Sequence, residues 1–177
     1  MRLRRYRDGD ADAVWTLHER ALADAGTDPA DVPGTEDLRD VRAAYLEAGG
    51  EFLVGLLSEA EAAEAVPRVA DGALAAMGGF LPNEAGHDDE RSVAGAAELH
   101  RMRVAPAHQR EGHGRRLLAA LEERAREAGF ERLLATTAAR QRASTRFYPA
   151  EGYTETGRST HGGYELLHFE KALEAGG

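Results

Sequence analysis

The chain has no cysteine among its 177 residues. That absence excludes disulfides, a thiolate nucleophile and any metal site with cysteine ligands. Lysine is nearly as scarce: Lys171 is the only one beside 21 arginines, an imbalance that fits either the codon usage of a GC-rich genome or adaptation to high salt. No run of about 18 apolar residues is present, so no membrane-spanning helix is expected. The start, Met1 to Arg7 followed by Asp8-Gly9-Asp10, lacks the apolar stretch of a signal peptide. These absences predict a cytoplasmic protein with no membrane partner. Positive charge is also in deficit. With 22 basic against 31 acidic residues the net charge is −9, which speaks against a nucleic-acid partner and favours a cationic small molecule through electrostatic steering. The length and the 42% hydrophobic content suit one globular domain, residues 1–177, with a full core.

Along the chain, Leu3 to Arg7 reads as a first strand and Asp10 to Ala25 as a helix capped by Asp10, with Val14, Leu17, Ala21, Leu22 and Ala25 on one face. A loop from Thr27 to Gly34 leads to a second expected helix, Glu36 to Ala48, ended by Gly49-Gly50. Glu51 to Leu57 and Ala73 to Leu81 read as strands flanking an Ala/Glu-rich insert, and Pro82 to Gly95 as an exposed, mobile hairpin loop. Leu117, Leu118, Leu121, Ala125 and Ala128 form the apolar face of a helix that Gly129 stops. Then follow a strand from Arg132 to Thr137, a helix from Gln141 to Ala150, and a hairpin pairing Tyr153–Arg158 with Tyr164–Leu173. The sum is a mixed α/β fold.

Two segments carry more specific information. In the strand from Ala96 to Val104, apolar Leu99 is odd-numbered while Met102 and Val104 are even-numbered. A strand that keeps one face buried changes parity only by inserting a residue, which predicts a β-bulge near His100-Arg101. The alternative is a half-exposed edge strand without a bulge. Immediately after it, Val104-Ala-Pro-Ala-His-Gln109-Arg-Glu-Gly112-His-Gly114-Arg-Arg-Leu-Leu118 runs from a strand through a proline turn and two glycines into a helix. Glycines at a helix mouth let backbone approach a ligand, and the first helical N–H groups point at an anion. Arg115-Arg116 stand where a P-loop needs Lys-Ser/Thr, so there is no lysine for β/γ-phosphates and no hydroxyl for Mg²⁺. Leu117 likewise stands where a dinucleotide fingerprint needs a small residue.

The remaining pattern, Gln109-x-x-Gly112-x-Gly114, resembles the acyl-CoA motif of the GCN5-related N-acetyltransferase (GNAT) superfamily. The segment Ala143-Ser144-Thr-Arg-Phe147-Tyr148-Pro-Ala-Glu-Gly152-Tyr153 is similar to a second motif of that family. Arg140 departs from it at a position where asparagine is frequent. The resemblance implies a central bulged and splayed, mainly antiparallel sheet with helices on both faces. It also implies an N-acetyltransferase in which an amine attacks acetyl-CoA directly, with acetyl-CoA as co-substrate and no metal. Met102, Arg103 and Val104 would pair their backbone with the pantetheine arm. Gln109, Arg110, Glu111, Gly112, His113, Gly114 and Arg115 would hold the pyrophosphate through backbone amides, assisted by the side chains of Arg110 and of Arg115 or Arg116, for which solvated helix arginines are the competing reading, with Arg140 and Ser144 near the cofactor. His113 would be a tolerated residue between the glycines. Tyr148 corresponds to the family's general acid, with an aromatic core residue whose hydroxyl is hydrogen-bonded as the competing reading, and Glu98 to a base acting through water, with a solvated strand glutamate as the competing reading and His100 as a second base candidate. His18, His87, His108, His161 and His168 have no metal-ligand spacing. The rival readings are a catalytically silent acyl-CoA binding or sensing module and a nucleotide-binding α/β domain. Acceptor identity and oligomeric state, a homodimer included, stay open.

Overall fold

The computed structural model describes residues 1–28, 32, 34–83 and 91–174. Strands β1 (Arg2–Arg5), β2 (Glu51–Leu57), β3 (Arg68–Val69), β4 (Gly72–Pro82), β5 (Ala96–Val104), β6 (Arg132–Ala138), β7 (Thr154–His161) and β8 (Tyr164–Ala172) make one sheet. Its order is β1-β2-β4-β5-β6-β8-β7, with β3 beside β4. All pairings are antiparallel except β5 with β6. Side chains alternate between the two faces, as a pleated strand requires. Phe52, Val54 and Met77 enter one core with Val14, Leu17 and Tyr45. Leu53, Ala76 and Phe80 enter the other with Leu117, Leu121 and Phe169. Helix α1 (Ala11–Asp24) therefore covers one face, and α2 (His113–Glu127) packs on the opposite one, where Tyr148 of α3 (Arg142–Ala150) joins the same core. This is the expected mixed α/β architecture. The short β3 within the Ala/Glu-rich insert raises the strand count to eight.

Three expectations change. The segment Glu36 to Ala48 is not one α-helix but a 3₁₀ turn, Thr35–Arg39, and a π-helical turn, Arg42–Leu46. Asp40 leaves the helical region at φ −143°, and its Oδ1 accepts the N–H of Ala43 at 3.1 Å, starting the second turn afresh. The break lets Leu38, Val41 and Tyr45 all reach full burial. Second, Ala25 and Ala128 are exposed, because each lies just past its helix. Third, β7 reaches His161 rather than Arg158. Residues 84–90 of the expected Pro82–Gly95 loop, His87 among them, and most of the Pro29–Pro33 stretch lie outside the described residues. Among the described residues, no helix is long and apolar enough to cross a membrane.

Candidate active site

The bulge expected from the parity break is present, and it shapes the site. His100 pairs with Gly79 and Arg103 with Met77, leaving Arg101 and Met102 opposite the single residue Gly78. Arg101 takes φ +56°, an uncommon conformation for a residue with a side chain. Ala97, Leu99, Met102 and Val104 consequently all pack against the same core despite their mixed parity. The bulge is fastened through Arg101, whose Nε lies 3.0 Å from Asp37 Oδ2 and whose Nη2 donates to the Gly34 carbonyl at 2.7 Å. The Tyr45 hydroxyl donates to the same Asp37 oxygen at 2.6 Å.

Beyond the bulge the sheet opens. Strands β5 and β6 are in register only from Ala96–Glu98 against Arg132–Leu134. Residues 99–104 keep β4 as a neighbour and residues 135–138 keep β8. The gap is a cavity of about 990 Å³. Met102, Arg103 and Val104 line it, so the backbone edge expected to pair with an added extended chain faces the opening.

At one end of the cavity lies the glycine turn. Gly112 caps α2 at φ +82°, Arg110 stands at φ +63°, and no side chain caps the helix, which leaves its first amides available to an anion. Gln109, Arg110, Gly112, Gly114 and Arg115 line the cavity on this side. Gly112 is needed for its backbone angle. At Gly114 a Cβ would make only ordinary contacts, 3.7 Å from Phe147 and Val104. Arg115 is paired with Glu151 at 2.8 Å, and Arg116 is exposed outside the lining. Arg140 and Ser144 line the cavity too, with the Arg140 guanidinium 4.1 Å above the Tyr164 ring.

Glu111 and His113 are not in the lining. His113 is buried, and its Nε2 meets Glu111 Oε2 at 3.1 Å, as does Nδ1 of the buried His108. His113 is therefore a built contact rather than a tolerated residue. The three side chains converge closely enough to hold an ion, a juxtaposition that linear spacing did not reveal. However, the Ala63 N–H donates to His108 Nε2 at 3.0 Å, so Nδ1 carries the proton and donates to Glu111. That arrangement makes the trio a hydrogen-bonded clasp on the glycine turn, with the Glu111 carboxyl held below the usual range first by its bond to His108.

At the other end stand Tyr148 and Glu98. Tyr148 is buried against Phe147, Tyr153 and Phe169. Tyr148 lines the cavity, and its hydroxyl makes no hydrogen bond to a described residue. Burial, opposed by the Arg103 guanidinium and reinforced by Glu98, pushes its pKa up to about 12, so it holds its proton at neutral pH. Glu98 is 1% exposed, which rules out the solvated strand glutamate. Its Oε2 accepts from Asn83 Nδ2 at 2.9 Å and its Oε1 from Thr136 Oγ1 at 2.7 Å. Thr136 Oγ1 also lies 3.1 Å from His168 Nδ1, and His168 Nε2 lies 2.8 Å from Ser159 Oγ. Because Thr136 spends its only proton on Glu98, it must accept from His168 Nδ1–H, and Nε2 accepts from Ser159. A directional chain thus joins the cavity to exposed Ser159 on β7. Burial lowers the His168 pKa and keeps this tautomer neutral. Asn83, Thr136 and His168 escaped the sequence reading because strand order alone brings them together. His100 lines the cavity with its ring edge-on to Tyr45.

Residues 32–153 match the Acetyltransferase (GNAT) family. None of the curated proteins matches the chain. Among solved structures, an acetyltransferase of the GNAT family from Staphylococcus aureus Mu50 superposes with a TM-score of 0.75 at 14% identity, covering 98% of this chain and 99% of that one. The ribosomal-protein-alanine N-acetyltransferase of Brucella melitensis gives 0.71 at 21% identity, covering 98% and 100%. The Salmonella typhimurium protein yncA, solved with its cofactor acetyl-CoA, gives 0.66 at 22% identity, covering 98% and 94%.

Proposed function

Since the chain belongs to the GNAT acetyltransferase family, we propose that it transfers the acetyl group of acetyl-CoA to the primary amine of a small acceptor by direct attack in a ternary complex. The observation that carries this reading is Tyr148, a protonated phenol that lines the cavity near Glu98, its hydroxyl without a hydrogen bond to any described residue. The cavity suits the co-substrate. Its glycine turn supplies backbone amides and Arg110 for a pyrophosphate, and the open edge of β5 supplies backbone groups for an extended amide-bearing arm.

An amine attacks only when neutral, and Glu98 removes its ammonium proton, directly or through one water. The donors of the chain Ser159–His168–Thr136 all point toward Glu98 and hold its carboxylate ionised and oriented as the acceptor of that proton. The new C–N bond forms at the thioester carbon, the carbonyl oxygen is polarised by backbone N–H groups of Arg103 or Val104, and the C–S bond breaks. Tyr148 delivers its proton to the departing sulfur, and the proton that the former amine nitrogen sheds on becoming an amide passes through water to restore the phenol. The net charge of −9 favours approach of a cationic ammonium.

Release of free thiol from acetyl-CoA in the presence of an amine panel tests the reaction. Tyr148→Phe is expected to bind CoA as wild type does while kcat falls about 10²- to 10⁴-fold, the range of a lost general acid. A variant that turns over at the wild-type rate returns the protein to the class of silent acyl-CoA binding modules, which need neither Tyr148 nor Glu98.

A further inference from the structure

Arg103 lines the cavity and has no ion pair among the described residues. Met102 and Val104 pack on the core shared with α2, so Arg103 between them projects to the opposite face, where its charge interacts with His18 of α1, Tyr45 and Asp37. Its hydrogen bonding among the described residues is nearly empty: Nη1 donates to the Met102 carbonyl at 2.9 Å, while Nε is buried without an acceptor. No carboxylate among the described residues forms an ion pair with it. The acid in its neighbourhood, Asp37, is occupied by Arg101 and by the Tyr45 hydroxyl. His18 adds no counter-charge. Fully buried, with neither ring nitrogen hydrogen-bonded among the described residues, it is held neutral as burial drops its pKa to about 4. Burial also brings Arg103 down to about 10, which still leaves it charged at neutral pH.

A half-buried cation with no ion pair is costly, and it is retained where a ligand supplies the partner. The pyrophosphate is not that ligand. Its amides and Arg110 stand at the α2 end of the cavity, whereas Arg103 interacts with Tyr148, at the end where the thioester reacts. We propose that Arg103 receives a carboxylate of the acceptor, so that the substrate class is small amino acids, with the amine presented toward Glu98 and the carboxylate toward the guanidinium. A guanidinium fork matches a carboxylate in two parallel hydrogen bonds. The molecule as a whole steers cations, yet this wall holds a cation with no ion pair among the described residues, and a zwitterion satisfies both.

This inference rests on the acetyl-transfer reading, and one experiment separates the two. Thiol release is measured with the standard L-amino acids, their carboxamides, and amines without a carboxylate such as spermidine, putrescine and tyramine. At least one amino acid is expected to exceed its own carboxamide by about tenfold or more in kcat/KM, through KM, as suits a charge-assisted contact. That ratio should collapse toward one in Arg103→Met and survive in part in Arg103→Lys. The wild-type ratio stands as a test even if Arg103→Met does not fold. Equal use of acids and carboxamides, turnover of only the carboxylate-free amines, or a ratio that persists in Arg103→Met overturns the carboxylate site and leaves acetyl transfer standing. Acetyl-CoA binding with no amine consumed overturns acetyl transfer, and the carboxylate site with it.

Discussion

His18 illustrates how a single buried group ties the site to stability. Its ring is fully buried on α1, tilted against Trp15, with neither nitrogen hydrogen-bonded among the described residues. Burial is the main reason its pKa falls to about 4, and the Arg103 and Arg101 charges add to it. In the unfolded chain the same ring titrates near 6.5. On acidification the unfolded state therefore binds the proton first, and folding loses about 1.4 kcal/mol per pH unit between roughly 6.5 and 4 before levelling off. Above pH 6.5 this group costs no proton linkage. Replacing it by leucine removes the linkage together with two unpartnered nitrogens. Urea midpoints followed from pH 7.5 to 4 should fall less steeply for His18→Leu than for wild type. Parallel acid limbs would mean that the ring is protonated in the fold. Neutral His18 also spares the face already holding Arg101 and Arg103 a further positive charge.

At the scale of elements, the bulge decides which glycines are indispensable. A Cβ on Gly78 would lie 2.6 Å from the Met102 sulfur, the far end of a flexible side chain that can swing aside. On Gly79 it would lie 2.5 Å from the Glu51 carbonyl oxygen and 2.7 Å from the Phe52 ring, neither of which can yield without moving β2 or its core. Gly79→Ala should therefore cost about 1–3 kcal/mol, the overpacking range, and Gly78→Ala clearly less. Chemical denaturation of the two variants side by side checks the order. The bulge was legible in the sequence because parity is a packing rule, and Leu99 against Met102 and Val104 breaks it visibly. The glycine turn was legible because it is local. The segment Glu36 to Ala48 was not: its two separate turns are set by Tyr45, Asp37 and Arg101, and Arg101 arrives from a strand far along the chain. The partners of Glu98 were illegible for the same reason, since Thr136 and His168 stand on β6 and β8 and adjoin it only through strand order. The unpartnered state of Arg103 needed both the bulge and the position of Asp37.

Over the whole molecule, the sheet is two parts joined by a short seam. Strands β1 to β5 form one part and β6 to β8 the other, and between them β5 and β6 share register only at Ala96, Ala97 and Glu98. Past that seam the connection is made by side chains of the core on α2's side, among them Leu117, Leu133 and Tyr148. A ligand that lies along β5 and touches Ser144 and Tyr148 bridges both parts. Binding to the native state alone adds RT ln(1 + [L]/Kd), about 2.7 kcal/mol at one hundred times Kd. For a domain of this length that amounts to roughly 5–10 °C in Tm. Acetyl-CoA at saturation should therefore raise Tm by that amount, while NAD and ATP, which lack an arm to run along β5, should raise it far less. Hydrogen exchange locates the effect. The amides of residues 99–104 that face the gap lack a strand partner on that side and should slow on addition of acetyl-CoA, whereas those of Ala96 to Glu98, within the seam, should change little. Equal stabilisation by ATP, or slowing confined to the glycine turn, would mean that the cavity holds a phosphate without an acyl arm.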